Sequence, residues 1–259
     1  MPHESVEFRI FPEMLAGGYP RGDHRMEYLV RVNALLHTGM VVLDFGAGRG
    51  KWVNDPVAFR RWLGDFRGRC ARVIGADVDP AIAENPQVEE RLLLKDGGGF
   101  PLPNASVDLI SAFSVLEHVE DAAFWAREID RVLRPGGWLC GWTPNRWGAI
   151  GIGARLIPGA MHARVLRVLE PRREEEDSFP PVYRMNTIGT LKRLFPESRY
   201  AHGSYRYAGR PYYHFDRTLM ARIWQAVGWA APDVMKPYMM IFLQKRGGLA
   251  REGPWPTLP

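Results

Sequence analysis

Asp44 ends a short apolar run, Val41-Val42-Leu43, and is followed by Gly46, Gly48 and Gly50 at every second position. β-Branched and aliphatic residues in a run of that length predict a buried strand. Glycine at that density lets the chain leave the strand through positive φ and brings bare backbone N–H groups against a ligand. The acid argues against a phosphate cradle, since a carboxylate repels a pyrophosphate and welcomes a cation or an ammonium group. The spacing is G-x-G-x-G rather than G-x-G-x-x-G, and the Lys-Ser/Thr pair of a Walker loop is absent. Such a turn suits a ligand with a cationic amino-acid end and a nucleoside. S-adenosylmethionine carries both.

Further segments follow in the order that such a site requires. Arg72–Pro80 is a second apolar strand ending in Asp77; in a doubly wound nucleotide fold an acid at that tip accepts hydrogen bonds from ribose hydroxyls. Leu92–Asp96 is a third apolar run ending in an acid, with Gly97, Gly98 and Gly99 behind it. Val107–Val119 reads as a fourth strand running into a helix start. Leu133–Asn145 holds a helix end, a Pro-Gly-Gly turn and a fifth strand.

With these blocks in place, the chain resembles the class I S-adenosylmethionine-dependent methyltransferases, in the broad group with L-E-H-V at the end of the fourth strand and R-V-L-R-P-G-G before the fifth. The resemblance covers Val41 to Asn145. It implies an α/β fold: a Rossmann-like, doubly wound, seven-stranded sheet whose last strand is antiparallel, with a helical or loop cap inserted. It also implies S-adenosyl-L-methionine as cofactor and S-adenosyl-L-homocysteine as product. Asp44 and Gly46 would sit beside the methionine moiety, with Ala47 between the glycines and Gly48 and Gly50 shaping the turn. Asp77, followed by Val78, would hold the ribose diol. Asp96 would receive the adenine amino group, with the Gly97 N–H nearby. Phe113 and Ser114 would line the sulfonium and face the acceptor.

Composition bounds the partners. With 259 residues the chain accommodates one large α/β domain and an elaboration. No apolar run approaches the roughly 20 residues that span a bilayer, and the first residues lack a signal peptide's basic and apolar blocks. Two cysteines, Cys70 and Cys140, without a spacing motif support neither a disulfide framework nor a zinc site, so a reducing, cytoplasmic compartment is expected. No metal is expected either, because no His/Asp/Glu cluster has ligand spacing. The net charge of +5 raises nucleic acid as a partner. The arginines are scattered, however, and Glu174 to Asp177 interrupt the most basic stretch. After the fourth strand stands Ser114-Val115-Leu116-Glu117 instead of the Asn/Asp-Pro-Pro-aromatic run of base-nitrogen methylation.

The remaining elements must position these residues. Residues 1–39 form an N-terminal helical extension to a single domain spanning 1–259. In it, Asp23 caps a helix from His24 to Leu36 with an apolar stripe of Met26, Leu29, Val30, Val32, Leu35 and Leu36. Pro56 is read as the first residue of the helix in the first crossover. Later elements are a helix over Thr187 to Phe195, a sixth strand over Ser198 to Tyr207, a helix over Arg217 to Val227 and a final strand over Tyr238 to Lys245. Residues 146–186 have no counterpart in the minimal fold and form a cap after the fifth strand, at the ligand-binding edge of the sheet. Its apolar and arginine-rich first half reads three ways: a helical cap, a protein contact, or an interfacial helix making peripheral contact with a membrane.

Methyl transfer from a sulfonium asks the protein for geometry and exclusion of water, and for a base only where the acceptor holds a reluctant proton. His118, directly after the fourth strand with Glu117 beside it, is the candidate base; the alternative is a cap or packing residue for the next helix. Tyr183, Arg184 and Asn186, where the chain re-enters the core, and His214 are candidate acceptor contacts. The expected function is methyl transfer to oxygen or nitrogen of a small-molecule or sugar-like, saccharide acceptor. The alternatives are an RNA or macromolecule methyltransferase using the basic surface, and a non-catalytic cofactor-binding subunit.

Overall fold

The computed structural model of the chain describes residues 6–95, 97–148, 181–209 and 218–247. Strand β1 (Val41–Phe45) forms where the sequence places its apolar run, and buries Val42 and Leu43 on opposite faces of the sheet. It lies between β2 (Arg72–Asp77) and β4 (Val107–Phe113), parallel to both, with Leu43 opposite Ile74 and Ile110. Strands β3 (Glu90–Leu93) and β5 (Leu133–Pro144) extend the parallel sheet on either side. The final strand, β8 (Tyr238–Lys245), runs antiparallel along β5 from Trp138↔Gln244 to Pro144↔Tyr238. With β6 (Tyr200–His202) at the far edge, the sheet order is β3-β2-β1-β4-β5-β8-β6. The strand order reverses between β1 and β4, and in such sheets ligands bind outside the carboxyl ends at that point.

The expected sixth strand is two pieces, β6 (Tyr200–His202) and β7 (Tyr205–Tyr207), so among the described residues the sheet has eight strands where seven are expected. Both pair with β8, and the pairings Tyr200↔Lys245 and Tyr205↔Met240 show that no residue is inserted between them. The break has a local cause: the Ser204 hydroxyl, not a backbone carbonyl, accepts the Phe242 N–H at 3.1 Å. Similarly, Pro135-Gly136-Gly137 is not a turn before β5 but a bulge inside it. The pairing passes from Val107↔Leu133 to Leu109↔Trp138, with Gly136 at φ +83°.

Two helical layers cover the sheet. On one face α4 (Ala122–Val132) and α5 (Ile188–Leu194) bury Ile129, Val132 and Leu191 against Ile110 and Ile241. On the other lie α2 (His24–Leu35) and α3 (Ala58–Gly64), with Leu29, Val32 and Leu63 against Val42 and Leu109. A short α1 (Val6–Ile10) precedes them, and α6 (Thr218–Ala230) precedes β8. Asp23 does cap α2, accepting from the Arg25 and Met26 amides. The buried stripe of α2 is Met26, Tyr28, Leu29 and Val32, whereas Val30 is exposed. Pro56 does not open α3; it lies before the cap residue Val57, whose N–H donates to Asp55 at 2.9 Å. No described helix is long and apolar enough to cross a membrane.

Candidate active site

The glycine turn after β1 is held from two sides. Gly46, Gly48 and Gly50 all take positive φ, at +76°, +45° and +93°. The Gly46 N–H donates back to the Ala76 carbonyl at 2.8 Å, so the turn folds over the end of β2. There the Gly48 N–H donates to Asp77 Oδ2 at 2.7 Å, and the Asp79 N–H to Asp77 Oδ1 at 2.9 Å. From below, the fully buried Asn85 donates its amide to the Ala47 and Gly48 carbonyls, both at 3.0 Å. Asn85 was invisible to motif reading because its contact lies across 37 residues of chain. Each Asp77 oxygen accepts one backbone N–H, from Gly48 of the turn and from Asp79, which leaves room for two hydroxyl donors. Val78, beside it, presents an open apolar surface, 46% exposed.

Asp44 is partly buried and lies opposite Ser111 in the β1–β4 pairing. Tyr28 of α2 reaches the Ser111 hydroxyl at 2.9 Å. Burial pushes the Asp44 carboxyl up to about 7, the Asp77 charge adds to the rise, and Ser111 and Lys51 oppose it. Such an acid gains from a cation placed beside it.

At the end of β4, Phe113 stacks on Trp142 of β5 at 4.7 Å between centroids, and Trp52 and Tyr28 meet it edge-on. The Lys51 ammonium stands over the Phe113 ring at 4.7 Å. His24, the first residue of α2 and 3% exposed, stacks on Trp142 at 4.6 Å and on Tyr238 at 4.8 Å. A histidine among rings at the carboxyl edge went unread because α2 precedes every motif.

Ser114 follows with φ +61°, a left-handed backbone that a non-glycine residue adopts only when its surroundings impose it. Here its N–H donates to the Trp142 carbonyl at 2.9 Å and its hydroxyl to Glu117 Oε1 at 2.8 Å. The other oxygen of Glu117 accepts the Thr143 hydroxyl, also at 2.8 Å. Glu117 is 4% exposed, and the Glu117 carbonyl accepts the Val182 and Tyr183 amides. His118 lies against this carboxylate, Nε2 to Oε1 3.9 Å. Its expected neighbour Glu117 is thus the centre of the cluster, and Thr143 joins it through strand pairing that spacing does not reveal.

The structure divides the expected acceptor trio. Arg184 is exposed and Tyr183 is buried with φ +54°. Asn186 is fully buried: its amide donates to the Thr143 hydroxyl and, at 3.1 Å, to the Pro144 carbonyl, and its oxygen accepts the Met185 N–H. These bonds latch the returning chain onto β5. Gly97 is described, with φ +68°, whereas Asp96, His214 and most of the 146–186 cap lie outside the described residues. Among the described residues no group of three or more His, Cys, Asp or Glu side chains could hold a metal ion. Burial raises the Cys140 thiol well above its ordinary range, so it is no nucleophile at neutral pH.

The N-terminal helix is fastened by a buried ion cluster. Arg60 of α3 donates through Nε to both Asp55 oxygens, at 2.9 and 3.0 Å, and through Nη1 to Asp23, the cap of α2. Arg25 adds a contact to Asp55 at 3.3 Å.

Residues 43–141 match the protein family described as methyltransferase domain. A probable S-adenosylmethionine-dependent methyltransferase of Mycolicibacterium smegmatis is 44% identical over 111 residues, which cover 42% of this chain and 39% of that protein. A malonyl-(acyl-carrier protein) O-methyltransferase of Yersinia pestis is 36% identical over 104 residues, 39% of this chain and 35% of its own. The chain thus spans under two fifths of the curated relatives it matches, at 39% and 35% of their lengths. Among solved structures, the geranyl diphosphate C-methyltransferase of Streptomyces coelicolor, in complex with S-adenosyl-L-homocysteine, shares the fold. Its TM-score is 0.53 at 14% identity, over 85% of this chain and 76% of that one.

Proposed function

We propose that residues 43–141, which match the methyltransferase-domain family, form a class I, S-adenosylmethionine-dependent methyltransferase domain, and that the chain transfers a methyl group to oxygen or nitrogen of a small-molecule or sugar-like acceptor. One observation carries the cofactor half of this reading: the Asp77 carboxylate clamps the Gly48 amide at 2.7 Å and keeps free lone pairs at the mouth of the turn. When bound, the cofactor supplies a sulfonium methyl; the acceptor's lone pair takes the carbon while the carbon–sulfur electron pair stays on sulfur.

The residues present fit that group. Asp77 accepts the ribose hydroxyls and Val78 covers the base. Asp44 gains a cationic partner for a carboxylate that burial disfavours. Asp96 and Gly97 complete the adenine end, in keeping with the family resemblance. Phe113 and Ser114 face the sulfonium, with the Ser114 backbone held by the Trp142 carbonyl and its hydroxyl by Glu117. His118, held against Glu117, takes the proton if the acceptor is a hydroxyl. Tyr183 and Arg184 stand on the acceptor side, and the cap over 146–186 carries acceptor recognition.

Titration calorimetry with S-adenosylmethionine tests the cofactor half, and incubation with methyl-labelled cofactor and fractionated host extract tests the rest. Label entering a small-molecule or glycan fraction is expected. Label confined to RNA or protein overturns the acceptor class, and no cofactor binding overturns the reading altogether.

A further inference from the structure

Two features of the site address one position. Phe113 offers a ring face and Asp44 a carboxylate, and both point to a bound positive charge. In the protein without ligand that charge is internal. The Lys51 ammonium lies 4.7 Å from the Phe113 ring centroid and interacts with Asp44. Lys51 follows directly on Gly50, whose φ of +93° turns the chain back towards the end of β4. Its exposed stem gives the ammonium an easy path to solvent. A sulfonium at the Phe113 face would meet a like charge at close range, so the two cannot share it. The thioether left after transfer is neutral and imposes no such exclusion.

We propose that Lys51 is a resident cation of the cofactor site: its ammonium holds the Phe113 face in the free protein, leaves it when a sulfonium is present, and returns when a neutral thioether is left. The inference rests on the methyltransferase reading above. Lys51 thereby discriminates the two cofactor forms by charge, weakening the sulfonium form relative to the neutral thioether.

The test measures affinity for S-adenosylmethionine and for S-adenosylhomocysteine by titration calorimetry, in the wild type, Lys51→Met and Lys51→Arg. Lys51→Met is expected to tighten the sulfonium form about threefold, the size of an exposed cation–π contact, without tightening the thioether form. Lys51→Arg, which keeps the charge, retains the wild-type ratio. Equal weakening of both ligands overturns the proposal, because it assigns Lys51 to the carboxylate that both share. Equal tightening, or no change, also overturns it. A wild type that binds neither ligand brings down the cofactor reading and this inference with it; a wild type that binds both with a ratio indifferent to Lys51 brings down the inference alone.

Discussion

The Gly48 amide and Asp77 Oδ2 are 2.7 Å apart across 29 residues of sequence, which ties the glycine turn of β1 to the tip of β2. The same carboxylate therefore shapes the turn and, in the proposed function, receives the ribose. Asp77→Ala removes both. Charge-assisted hydrogen bonds contribute about 1.5–3 kcal/mol each at most, so cofactor affinity should fall at least tenfold while the fold persists. Calorimetry with unchanged affinity would refute the assignment.

Asp44 sets a pH dependence. In the free protein its carboxyl is pushed up to about 7, above its ordinary 3.8, so ionisation is disfavoured in the folded state. A folded-state acid with a raised pKa costs nothing where it is neutral in both states, below about pH 4. Stability should decline as pH rises from there to 7 and then level off. Asp44→Asn should remove this slope, raising the melting temperature at pH 8 but not at pH 4. Cofactor binding selects the ionised acid, so wild-type affinity should weaken below pH 7 with proton uptake into the free protein. The variant's weaker binding should lose that pH dependence, which calorimetry in buffers of different ionisation enthalpy reads directly.

Gly46 has two reasons to be glycine. Its φ is +76°, and a Cβ there would stand 2.7 Å from the Val115 side chain. Gly46→Ala should lower the melting temperature and cofactor affinity together. Adding Val115→Ala relieves the contact but not the backbone strain of about 1–2 kcal/mol, so rescue should be partial. Full rescue by the double variant would show that φ is unimportant.

Glu117→Ala leaves the Ser114 and Thr143 hydroxyls without their acceptor. Each unsatisfied buried group costs about 1–3 kcal/mol, which thermal unfolding should register. Turnover should fall more than cofactor affinity if, as in the proposed function, Ser114 faces the acceptor. An unchanged melting temperature would mean that water replaces the carboxylate.

Arg60→Met leaves the buried Asp23 without this cation and Asp55 with Arg25 alone. Breaking such a cluster from one side costs about 3–5 kcal/mol. Proteolysis should then cut first near α2, since Asp23 is its cap. Uniform destabilisation with no preferred cut would show that α2 stays docked without Arg60.

Local order was legible in the residues. Strand β1, the glycine turn, the Asp23 cap and β8 from Tyr238 to Lys245 need only an apolar run, a positive φ, a side-chain acceptor and β-rich composition, all confined to neighbours in sequence. Acids at strand tips were equally plain, because a parallel sheet brings its carboxyl ends to one edge. Partners joined through strand pairing were not. Thr143 reaches Glu117 across 26 residues only because β5 lies beside β4 in one register. Asn186 closes on Thr143 and Pro144 because the returning chain passes over the end of β5. The bulge at Gly136 and the break at Ser204 likewise depend on which strand lies opposite. Residue type limits what a group can bond, but long-range packing chooses among those bonds, because each buried donor must find its acceptor wherever the sheet brings one.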